Sequence, residues 1–454
     1  MDFTAIVDLQ RRFFASGRTL CVDFRIRQLR RIRRWILEND WAIKAALRTD
    51  LNKAPFESLA TESGLVLDEL RHILLNIRNW TRPKFVMSNL KNFPSYGRIH
   101  ARPYGLALIM SPWNYPFMLT LVPLLSAIAA GNCAVVKPSA YAPATSSLIA
   151  RMCEELFHPC FVAVVEGGRK ENEGLLNQRF DKIFFTGSTN VGRVVMAAAA
   201  KNLTPITLEL GGKSPCIVDE TANLKLAARR IIWGKTLNAG QTCVAPDYLL
   251  VHESVKEQLI HELSAEICKQ LGAEPANNNE YPKIINKLHF NRLLDLLKGE
   301  NIAFGGGFNA KTLQIEPTII DGPYPAGELM NEEIFGPILP VMTYSTPWEA
   351  AEFVNARPKP LAFYVFTSKK ANAKFFIDTV SFGGGCVNDT IVHLSVPRLP
   401  FGGVGESGMG SHHGKAGFDA FTHYSSILHK SRHIDIPLRY QPYTDIAMKL
   451  LKLL

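Results

Sequence analysis

Gly105-Leu-Ala-Leu-Ile-Met110 is a continuous apolar run, followed by the loop Ser111-Pro-Trp-Asn-Tyr-Pro116 and an apolar helical pattern that reaches Ala130. Such a run is typical of a strand buried on both faces of a parallel sheet. The pattern then repeats, with strands predicted at 132–137, 161–165 and 181–185 and helices between them. This alternation predicts a doubly wound α/β domain with a parallel sheet.

The rest of the chain divides around this pattern. A second α/β unit is predicted from near Pro205, with later strands near 315–320, 338–344 and 361–366. Residues 1–80 show mostly helical periodicity, whereas segment 82–104 contains prolines and short alternating stretches that are typical of a hairpin arm. Because the sequence shows neither an internal repeat nor a low-complexity linker, we expect the domains to share an interface with a cleft.

Composition and charge indicate a globular protein. Of the 454 residues, 47% are hydrophobic and 20% are charged, with a net charge of +10. Much of the positive charge lies in Arg25-Ile-Arg-Gln-Leu-Arg-Arg-Ile-Arg-Arg34, where apolar residues recur at helical spacing. We interpret this stretch as an amphipathic helix with a solvated basic face, and binding to an anionic surface is the lesser alternative. The basic residues are not interleaved with aromatic ones, which argues against nucleic acid as a partner.

The cysteines and apolar runs bear on metals and location. The eight cysteines include no C-x-x-C pair and no His/Cys cluster with zinc spacing, so we predict no bound metal. The N-terminus lacks the apolar stretch of a signal peptide, and the longest apolar run, 117–130, contains Pro123 and is too short to cross a bilayer. These features predict free thiols and a cytoplasmic location.

Cys243 is a candidate nucleophile. It lies in Asn238-Ala-Gly-Gln-Thr-Cys-Val-Ala-Pro246, before the strand-like run Tyr248-Leu-Leu-Val251. A thiol in a glycine-containing loop can open into a pocket, as a nucleophile requires. The alternative is a small buried hydrophobic residue, which is what most cysteines are.

Three further features are compatible with catalysis, and each has a plain structural alternative. Glu209 ends an apolar strand, where partial burial would raise its pKa toward that of a general base, although such a residue can also face water. Asn114 lies in a loop at the carboxyl edge of a strand and could donate to an oxyanion, or simply form a turn. Thr186-Gly-Ser-Thr-Asn-Val-Gly192 opens a helix whose N-terminus would favour phosphate, but its glycine spacing also fits an ordinary tight turn.

Together, seven motifs in order closely resemble the aldehyde dehydrogenase superfamily, and within it the class 3 branch of fatty or aromatic aldehyde dehydrogenases. The resemblance covers nearly the whole chain. The motifs are Pro112-Trp-Asn-Tyr-Pro116, Val136-Lys-Pro-Ser139, Phe185-Thr-Gly-Ser-Thr189, Leu208-Glu-Leu-Gly-Gly-Lys-Ser-Pro215, Gly240-Gln-Thr-Cys-Val-Ala-Pro-Asp-Tyr248, Glu333-Ile-Phe-Gly-Pro337 and Pro400-Phe-Gly-Gly403.

The resemblance implies oxidation of an aldehyde to a carboxylic acid with NAD or NADP, an activity of EC 1.2.1 type. The Cys243 thiolate would attack the carbonyl, and the oxyanion would be held by the Asn114 amide and the Cys243 N–H. Hydride transfer would leave a thioester, which water activated by Glu209 would hydrolyse. Residues implied in cofactor binding are Lys137 at the adenosine ribose, Gly187 and Ser188 at the pyrophosphate, Glu333 at the nicotinamide ribose with Phe335 nearby, and also Gly192, Gly211 and Trp113.

Several expectations depend on individual positions. Relatives usually have an acidic residue after Lys-Pro-Ser, but here it is Ala140, so NADP should be accepted as well as NAD. Lys235 could lower the pKa of the nucleophile by its charge. Tyr115, Met118 and Leu119 are apolar candidates for the access tunnel and favour medium- or long-chain or aromatic aldehydes.

The resemblance also implies the architecture: two doubly wound parallel-sheet domains and a small bridging β element that would make a homodimer. We expect an NAD(P)-binding domain at 1–82 and 104–206, a catalytic domain at 207–394, the bridging element at 83–103 and 395–430, and a tail at 431–454. The tail is amphipathic and short, which allows at most peripheral membrane contact. Two alternatives are an enzyme that transfers the acyl group to coenzyme A, which generally lacks a base such as Glu209, and a non-catalytic structural homologue.

Overall fold

The computed structural model describes residues 2–453. The helices of this part are α1 (Phe3–Ala15), α2 (Val22–Glu38), α3 (Asp40–Leu51), α4 (Pro55–Ser58), α5 (Gly64–Trp80), α6 (Met118–Ala130), α7 (Pro143–Leu156), α8 (Arg169–Leu176), α9 (Thr189–Ala200), α10 (Leu224–Thr236), α11 (Lys256–Leu271), α12 (Lys287–Leu296), α13 (Glu328–Asn331), α14 (Pro347–Asn355), α15 (Lys370–Thr379), α16 (Gly414–Ala420) and α17 (Asp445–Leu453). A π-helical turn, Leu59–Ser63, joins α4 to α5.

The strands of the described chain are short, and most are buried. They are β1 (Lys84–Met87), β2 (Ser95–Pro103), β3 (Leu106–Met110), β4 (Cys133–Lys137), β5 (Val162–Val164), β6 (Lys182–Thr186), β7 (Ile206–Glu209), β8 (Pro215–Val218), β9 (Tyr248–His252), β10 (Ile302–Phe304), β11 (Phe308–Asn309), β12 (Gln314–Ile315), β13 (Thr318–Asp321), β14 (Ile338–Tyr344), β15 (Ala362–Phe366), β16 (Gly384–Val387), β17 (Gly408–Met409) and β18 (Thr422–Lys430).

The first sheet has six strands in the order β17-β7-β6-β3-β4-β5, and all are parallel except β17. Its central strand β3 is the apolar run Leu106–Met110, and every residue in it is buried. Helix α6 is buried along its whole length, and it ends at Gly131, whose φ of 99° terminates the helix. The N-terminal helices add to the same core, in which Leu29, Ile43 and Leu70 are fully buried.

Strand β7 belongs to this first sheet. We predicted a second unit from near Pro205 and a catalytic domain from residue 207, but β7 is hydrogen-bonded to β6 with Thr186 opposite Glu209. The β6–α9–β7 crossover places these two parallel strands side by side, and the turn at Gly211-Gly212 follows β7 in the chain. We propose that the chain passes between the two units after Glu209.

The second sheet has seven strands in the order β10-β13-β14-β9-β8-β15-β16. They are parallel except for β10, which pairs antiparallel with β13 at the edge. Its core includes Cys216, Leu249, Val341 and Tyr364, all at most 1% exposed. Two parallel sheets with helices around them confirm the predicted α/β class.

A third, antiparallel sheet consists of β1, β2 and β18. Strand β18 pairs with β2 over nine residues, from Thr422↔Pro103 to Lys430↔Ser95, which joins the arm to the segment near the C-terminus. Several apolar side chains of this sheet are exposed, including Phe85 at 66% and Met87 at 83%. Among residues 2–453, no helix has the length and apolar character needed to cross a membrane.

Candidate active site

The site lies at the carboxyl ends of the parallel strands, where an α/β fold places its ligands. Strand β3 leads into the loop with Asn114, β6 leads into Gly187 and Ser188, and β7 ends in Glu209. The loop before β9 brings Cys243 to the same place from the other sheet. Two cavities meet there, and Cys243 lines both of them.

The nucleophile loop has an unusual backbone. Asn238, Ala239 and Gly240 have φ values of 50°, 52° and 73°, so three consecutive residues occupy the left-handed region. A side chain at Gly240 would meet the Gly336 carbonyl oxygen at 2.3 Å, which requires glycine here for space as well as conformation. The loop then presents the half-buried Cys243 side chain to the cavities.

The Asn114 side chain lies against this loop. It is 3% exposed, and its Nδ2 donates to the Gln241 carbonyl at 3.0 Å. The Asn114 carbonyl accepts hydrogen bonds from Asn238 Nδ2 at 2.7 Å and from Lys53 Nζ at 3.2 Å. The structure therefore places the predicted oxyanion donor beside the backbone of the loop that carries Cys243.

A buried ion pair that sequence reasoning missed supports the Asn114 loop. Lys53 and Glu62 are fully buried, and the remaining Glu62 oxygen accepts the N–H groups of Phe117 and Met118 at 3.1 and 2.9 Å. Lys53 Nζ also lies 3.9 Å from the Tyr115 ring centre. In the sequence, Lys53 and Glu62 are ordinary polar residues in a region of helical periodicity. This periodicity does not predict that the two side chains form a buried ion pair.

Glu209 is 2% exposed, and neither of its carboxyl oxygens has a hydrogen-bond partner within residues 2–453. Burial raises the pKa of Glu209 well above its usual value. The nearest ionisable ring is that of His412, whose Nε2 is 3.9 Å from Glu209 Oε1. His412 and the adjacent His413 are both buried, and both line the larger of the two cavities.

Charge and burial also act on the thiol. Burial raises the pKa of Cys243, and the carboxyl groups of Glu333 and Glu209 raise it further. We predicted that Lys235 would lower the pKa of Cys243, but these carboxyl groups are the strongest charges on the thiol. Lys235 instead lies in the field of Asp247, Lys213 and Glu333, and burial lowers its own pKa to about 8.

One cavity, of about 240 Å³, has the groups expected of a cofactor site. Trp113 and Phe335 meet edge to face with ring centres 5.4 Å apart, and Ser188 caps the N-terminus of α9. This end of the helix can receive an anionic phosphate. Six predicted cofactor residues line the cavity: Trp113, Gly187, Ser188, Gly211, Glu333 and Phe335.

Glu333 and Gly211 test whether a nicotinamide cofactor fits. Within the described chain, Glu333 Oε1 is buried and has no hydrogen-bond partner, and it faces this cavity. Burial raises the pKa of Glu333 to about 8. A Cβ atom on residue 211 would lie 1.9 Å from Glu333 Oε2. Because glycine has no side chain, the Glu333 carboxyl group can occupy this space. An unpartnered acceptor in an aromatic-lined cleft fits a ribose hydroxyl.

The other two predicted cofactor residues lie outside the cavity lining. Lys137 ends β4, is buried, and donates from Nζ to the Pro138 carbonyl at 2.7 Å. Gly192 is buried in α9, where a Cβ would meet Leu210 at 2.7 Å, so it allows close helix–strand packing. His289, Arg292 and Glu332 line the cavity, although sequence reasoning did not select them.

The second cavity is larger, about 560 Å³, and mostly apolar. The predicted tunnel residues Tyr115, Met118 and Leu119 all line it. Further apolar lining residues are Phe56, Leu65, Trp233, Leu237, Val244, Leu271, Ile391, Leu394 and Phe401. Among residues 2–453, no group of three or more His, Cys, Asp or Glu side chains could hold a metal ion.

The chain was then compared with known proteins. Residues 1–427 match the aldehyde dehydrogenase family. The chain is 46% identical to 4,4'-diaponeurosporen-aldehyde dehydrogenase of Staphylococcus aureus, over 95% of this chain and 94% of the relative. It is 43% identical to the dimeric NADP-preferring aldehyde dehydrogenase of Rattus norvegicus, over 93% of each chain. The solved substrate-bound state of Staphylococcus aureus AldH superposes with a TM-score of 0.98 at 44% identity, covering 100% of this chain and 99% of that one.

Proposed function

The chain belongs to the aldehyde dehydrogenase family, whose members oxidise aldehydes with NAD or NADP, and we propose that its substrates are aldehydes with an extended apolar group. One observation carries the proposal: Cys243 lies where a mostly apolar cavity of about 560 Å³ meets a smaller cavity suited to a nicotinamide. A thiol at this junction can reach a carbonyl whose apolar tail fills the larger cavity.

We propose Cys243 as the nucleophile. The sulfur would attack the aldehyde carbon as a thiolate, so the thiol first loses its proton to solvent. Because burial raises the pKa of this thiol, little thiolate is present before that transfer. The Asn114 Nδ2 group, which also donates to the Gln241 carbonyl, and the Cys243 backbone N–H would donate to the oxygen that becomes negative. Each such donor contributes a rate factor of about 10²–10³. A bound nicotinamide supplies the hydride acceptor, and the carbonyl carbon is left as a thioester of Cys243.

We propose Glu209 as the base that hydrolyses this thioester. Its carboxyl group lies in the smaller cavity beside Cys243 and has its oxygens free for water among the described residues. The base favours hydrolysis over transfer to coenzyme A. Glu333, Gly211, Trp113 and Phe335 would hold the nicotinamide end of the cofactor, and Ser188 and Gly187 would hold its phosphates.

The larger cavity supports a medium- or long-chain or aromatic substrate. Met118 and Leu119 lie beside Cys243 in this cavity. Phe56 and Trp233 also line the cavity, and they are 82% and 39% exposed to solvent. An apolar chain would therefore contact side chains from the thiol to the surface. At about 0.8 kcal/mol per buried methylene, a longer chain should bind more tightly until it leaves the cavity.

We also propose that NADP is accepted together with NAD. Ala140 is exposed in the turn after Lys137, so this position contributes no negative charge against a 2′-phosphate. The carboxylates of Glu171 and Glu166 act on Lys137 and partly oppose the lowering of its pKa by burial. They leave some negative charge near the ribose, so we expect use of both cofactors.

A homodimer is our proposed assembly. The rat relative is named as dimeric, and the three-stranded sheet here exposes large apolar side chains. Phe85, Met87 and Leu90 are 66%, 83% and 70% exposed, and Leu428 on β18 is 50% exposed. Large exposed apolar side chains grouped on one small sheet and its adjoining turn favour a protein interface there.

We propose a cytoplasmic enzyme with at most peripheral membrane contact. All eight cysteines are free in the structure, as in a reducing compartment. Helix α17 exposes Ile446 at 69% and Met448 at 54%, next to the exposed Lys449. Co-sedimentation with vesicles that contain anionic lipid should be weak, and truncation after Tyr443 should reduce it further.

The decisive experiment is reduced-nicotinamide absorbance with a series of straight-chain aldehydes, with NAD and NADP in parallel and without coenzyme A. Sustained turnover whose kcat/KM rises with chain length is expected. A single burst of one equivalent per site would favour acyl transfer to coenzyme A. Absence of any signal would favour a non-catalytic homologue.

A further inference from the structure

We propose that His412 is a positioning residue for thioester hydrolysis: during this step it accepts the proton of Glu209, which leaves Glu209 as the carboxylate that activates water. The inference rests on the proposed function, in which Glu209 is the base. In this proposal His412 acts together with Glu209 in the hydrolysis of the thioester. The earlier attack of Cys243 on the aldehyde is unchanged.

A short antiparallel segment of the chain brings His412 close to Glu209. Strand β17 pairs with β7 so that Gly408 lies opposite Glu209. The chain then forms a bridge in which the His412 N–H donates to the Phe401 carbonyl at 2.7 Å and the Phe401 N–H donates back at 3.0 Å. The His412 Nε2 atom is thereby brought to 3.9 Å from Glu209 Oε1, with both side chains at most 3% exposed.

Both groups lack other partners in the part of the chain that the structure describes. Neither Glu209 oxygen and neither His412 ring nitrogen makes a hydrogen bond within residues 2–453. The His412 ring lies edge to face against Phe184 and Phe401, with ring centres 5.2 and 5.5 Å away. Buried polar groups without partners are costly, and a small side-chain rotation would satisfy both at once.

The surroundings determine where the shared proton lies. Burial raises the pKa of Glu209, whereas burial and the neighbouring His413 lower the pKa of His412. His413 has its ring centre 4.3 Å from that of His412, and the thiol of Cys243 faces Glu209 from the other side. His393 acts on His413 and Glu333 acts on Cys243. The resting pair is therefore neutral, and proton transfer creates an ion pair whose attraction offsets part of its burial cost.

The proton balance of the step is simple. The proton leaves the Glu209 carboxyl group and binds His412 Nε2, which gives a carboxylate and an imidazolium. Water then gives one proton to the Glu209 carboxylate while its oxygen bonds to the thioester carbon. Collapse of this adduct breaks the C–S bond, and the carboxylic acid and the Cys243 thiolate are released. His412 keeps its proton until the thiolate or solvent takes it, so the cycle closes without another reactant.

The test separates acylation from hydrolysis by rapid mixing with an aldehyde and NAD over a range of pH. In His412→Gln and His412→Phe, we expect a burst of one equivalent per site, as in the unaltered enzyme. The following slow phase should be about tenfold slower near neutral pH, with its pH midpoint raised by about one unit. His412→Phe keeps the ring against Phe184 and Phe401. His393→Gln removes a half-buried imidazole that lies near the same cluster and should leave the midpoint unchanged.

An unchanged midpoint in a variant that shows the burst would overturn the proposal. If the unaltered enzyme forms no reduced nicotinamide, the proposed function fails instead; if it turns over without a resolved burst, histidine ring spectra decide the proposal. If both variants lose the burst, histidine ring spectra of the unaltered enzyme and of Glu209→Gln decide the matter. The proposal requires one histidine midpoint to fall by about one unit in Glu209→Gln, and identical histidine titrations would overturn it.

Discussion

Lys53 Nζ lies 2.6 Å from Glu62 Oε1, and neither side chain is exposed to solvent. Lys53 also donates to the Asn114 carbonyl, and Glu62 accepts the N–H groups of Phe117 and Met118. The N-terminal helical region therefore fixes the loop that carries the proposed oxyanion donor. We therefore expect stability and catalysis to be coupled at this contact.

Lys53→Met should damage both properties. It leaves Glu62 buried without its cation, which costs about 3–5 kcal/mol in the free energy of unfolding, measured with urea. We also expect a slower acylation burst, because the Asn114 carbonyl loses a donor. Lys44→Met, which breaks the partly exposed pair with Asp40, is the control and should cost less than about 1 kcal/mol. A burst of normal rate in Lys53→Met would show that the pair stabilises the fold without positioning the loop.

Stability should fall with rising pH because of Glu69. Burial raises the pKa of Glu69 to about 7, from 4.5 for an exposed glutamate, so the folded state holds this proton more tightly. The contribution is complete below about pH 4.5 and is lost as the pH rises through about 7, by about 3 kcal/mol in all.

Glu69→Gln isolates this effect, because it keeps an acceptor for the Gly414 N–H, which now lies 2.7 Å from Glu69 Oε1. Relative to the unaltered protein, the variant should gain stability as the pH increases across this window, in urea unfolding at several pH values. Glu38→Gln, at an exposed position, should track the unaltered protein. Parallel curves for Glu69→Gln and the unaltered protein would contradict the prediction.

The Asn114 and Glu209 variants should fail at different steps. Asn114→Ala removes an oxyanion donor and should slow the burst by about 10²–10³. Glu209→Gln should keep the burst and lose sustained turnover, because the thioester forms but water is not activated. Rapid-mixing absorbance and mass spectrometry of the acylated protein distinguish the two. Equal loss of the burst in both variants would assign Glu209 to the first step.

The sequence alone predicted Asn114, Glu209 and Cys243 as site residues, because each lies at the end of a recognisable strand, just after one, or after a glycine turn. Parallel strands bring their carboxyl ends together, so Asn114 and Glu209 could be expected at one edge. The contacts of Lys53, Glu62 and His412 could not be read in the same way. They join residues far apart in the chain, and they depend on a π-helical turn and a two-residue antiparallel strand. Neither a π-helical turn nor a two-residue strand produces a periodic sequence pattern from which it could be predicted.

The exposed face of the three-stranded sheet predicts how the dimer can be broken. Met87 on edge strand β1 is 83% exposed, and Met87→Lys places a charge that an interface would have to desolvate. We expect a shift toward monomer in sedimentation velocity at low micromolar concentration. Leu203→Lys alters a side chain that is 90% exposed outside this sheet and should leave the assembly unchanged. A Met87→Lys protein that sediments like Leu203→Lys would place the interface elsewhere.

Cofactor preference should depend on the charge at residue 140. Ala140 is exposed beside the end of β4, where Lys137 is expected to meet the adenosine ribose. A carboxylate at this position would accept a 2′-hydroxyl and repel a 2′-phosphate, at about 1 kcal/mol or more for a like charge at close range. Ala140→Glu should therefore lower kcat/KM with NADP relative to NAD by about tenfold, since about 1.4 kcal/mol corresponds to that factor.

Ala140→Gln is the control for this prediction. The glutamine side chain has nearly the same volume as glutamate without the charge, so it separates repulsion from crowding. If both variants change the ratio equally, size rather than charge sets the preference; if neither does, Glu166 and Glu171 near Lys137 become the residues to neutralise.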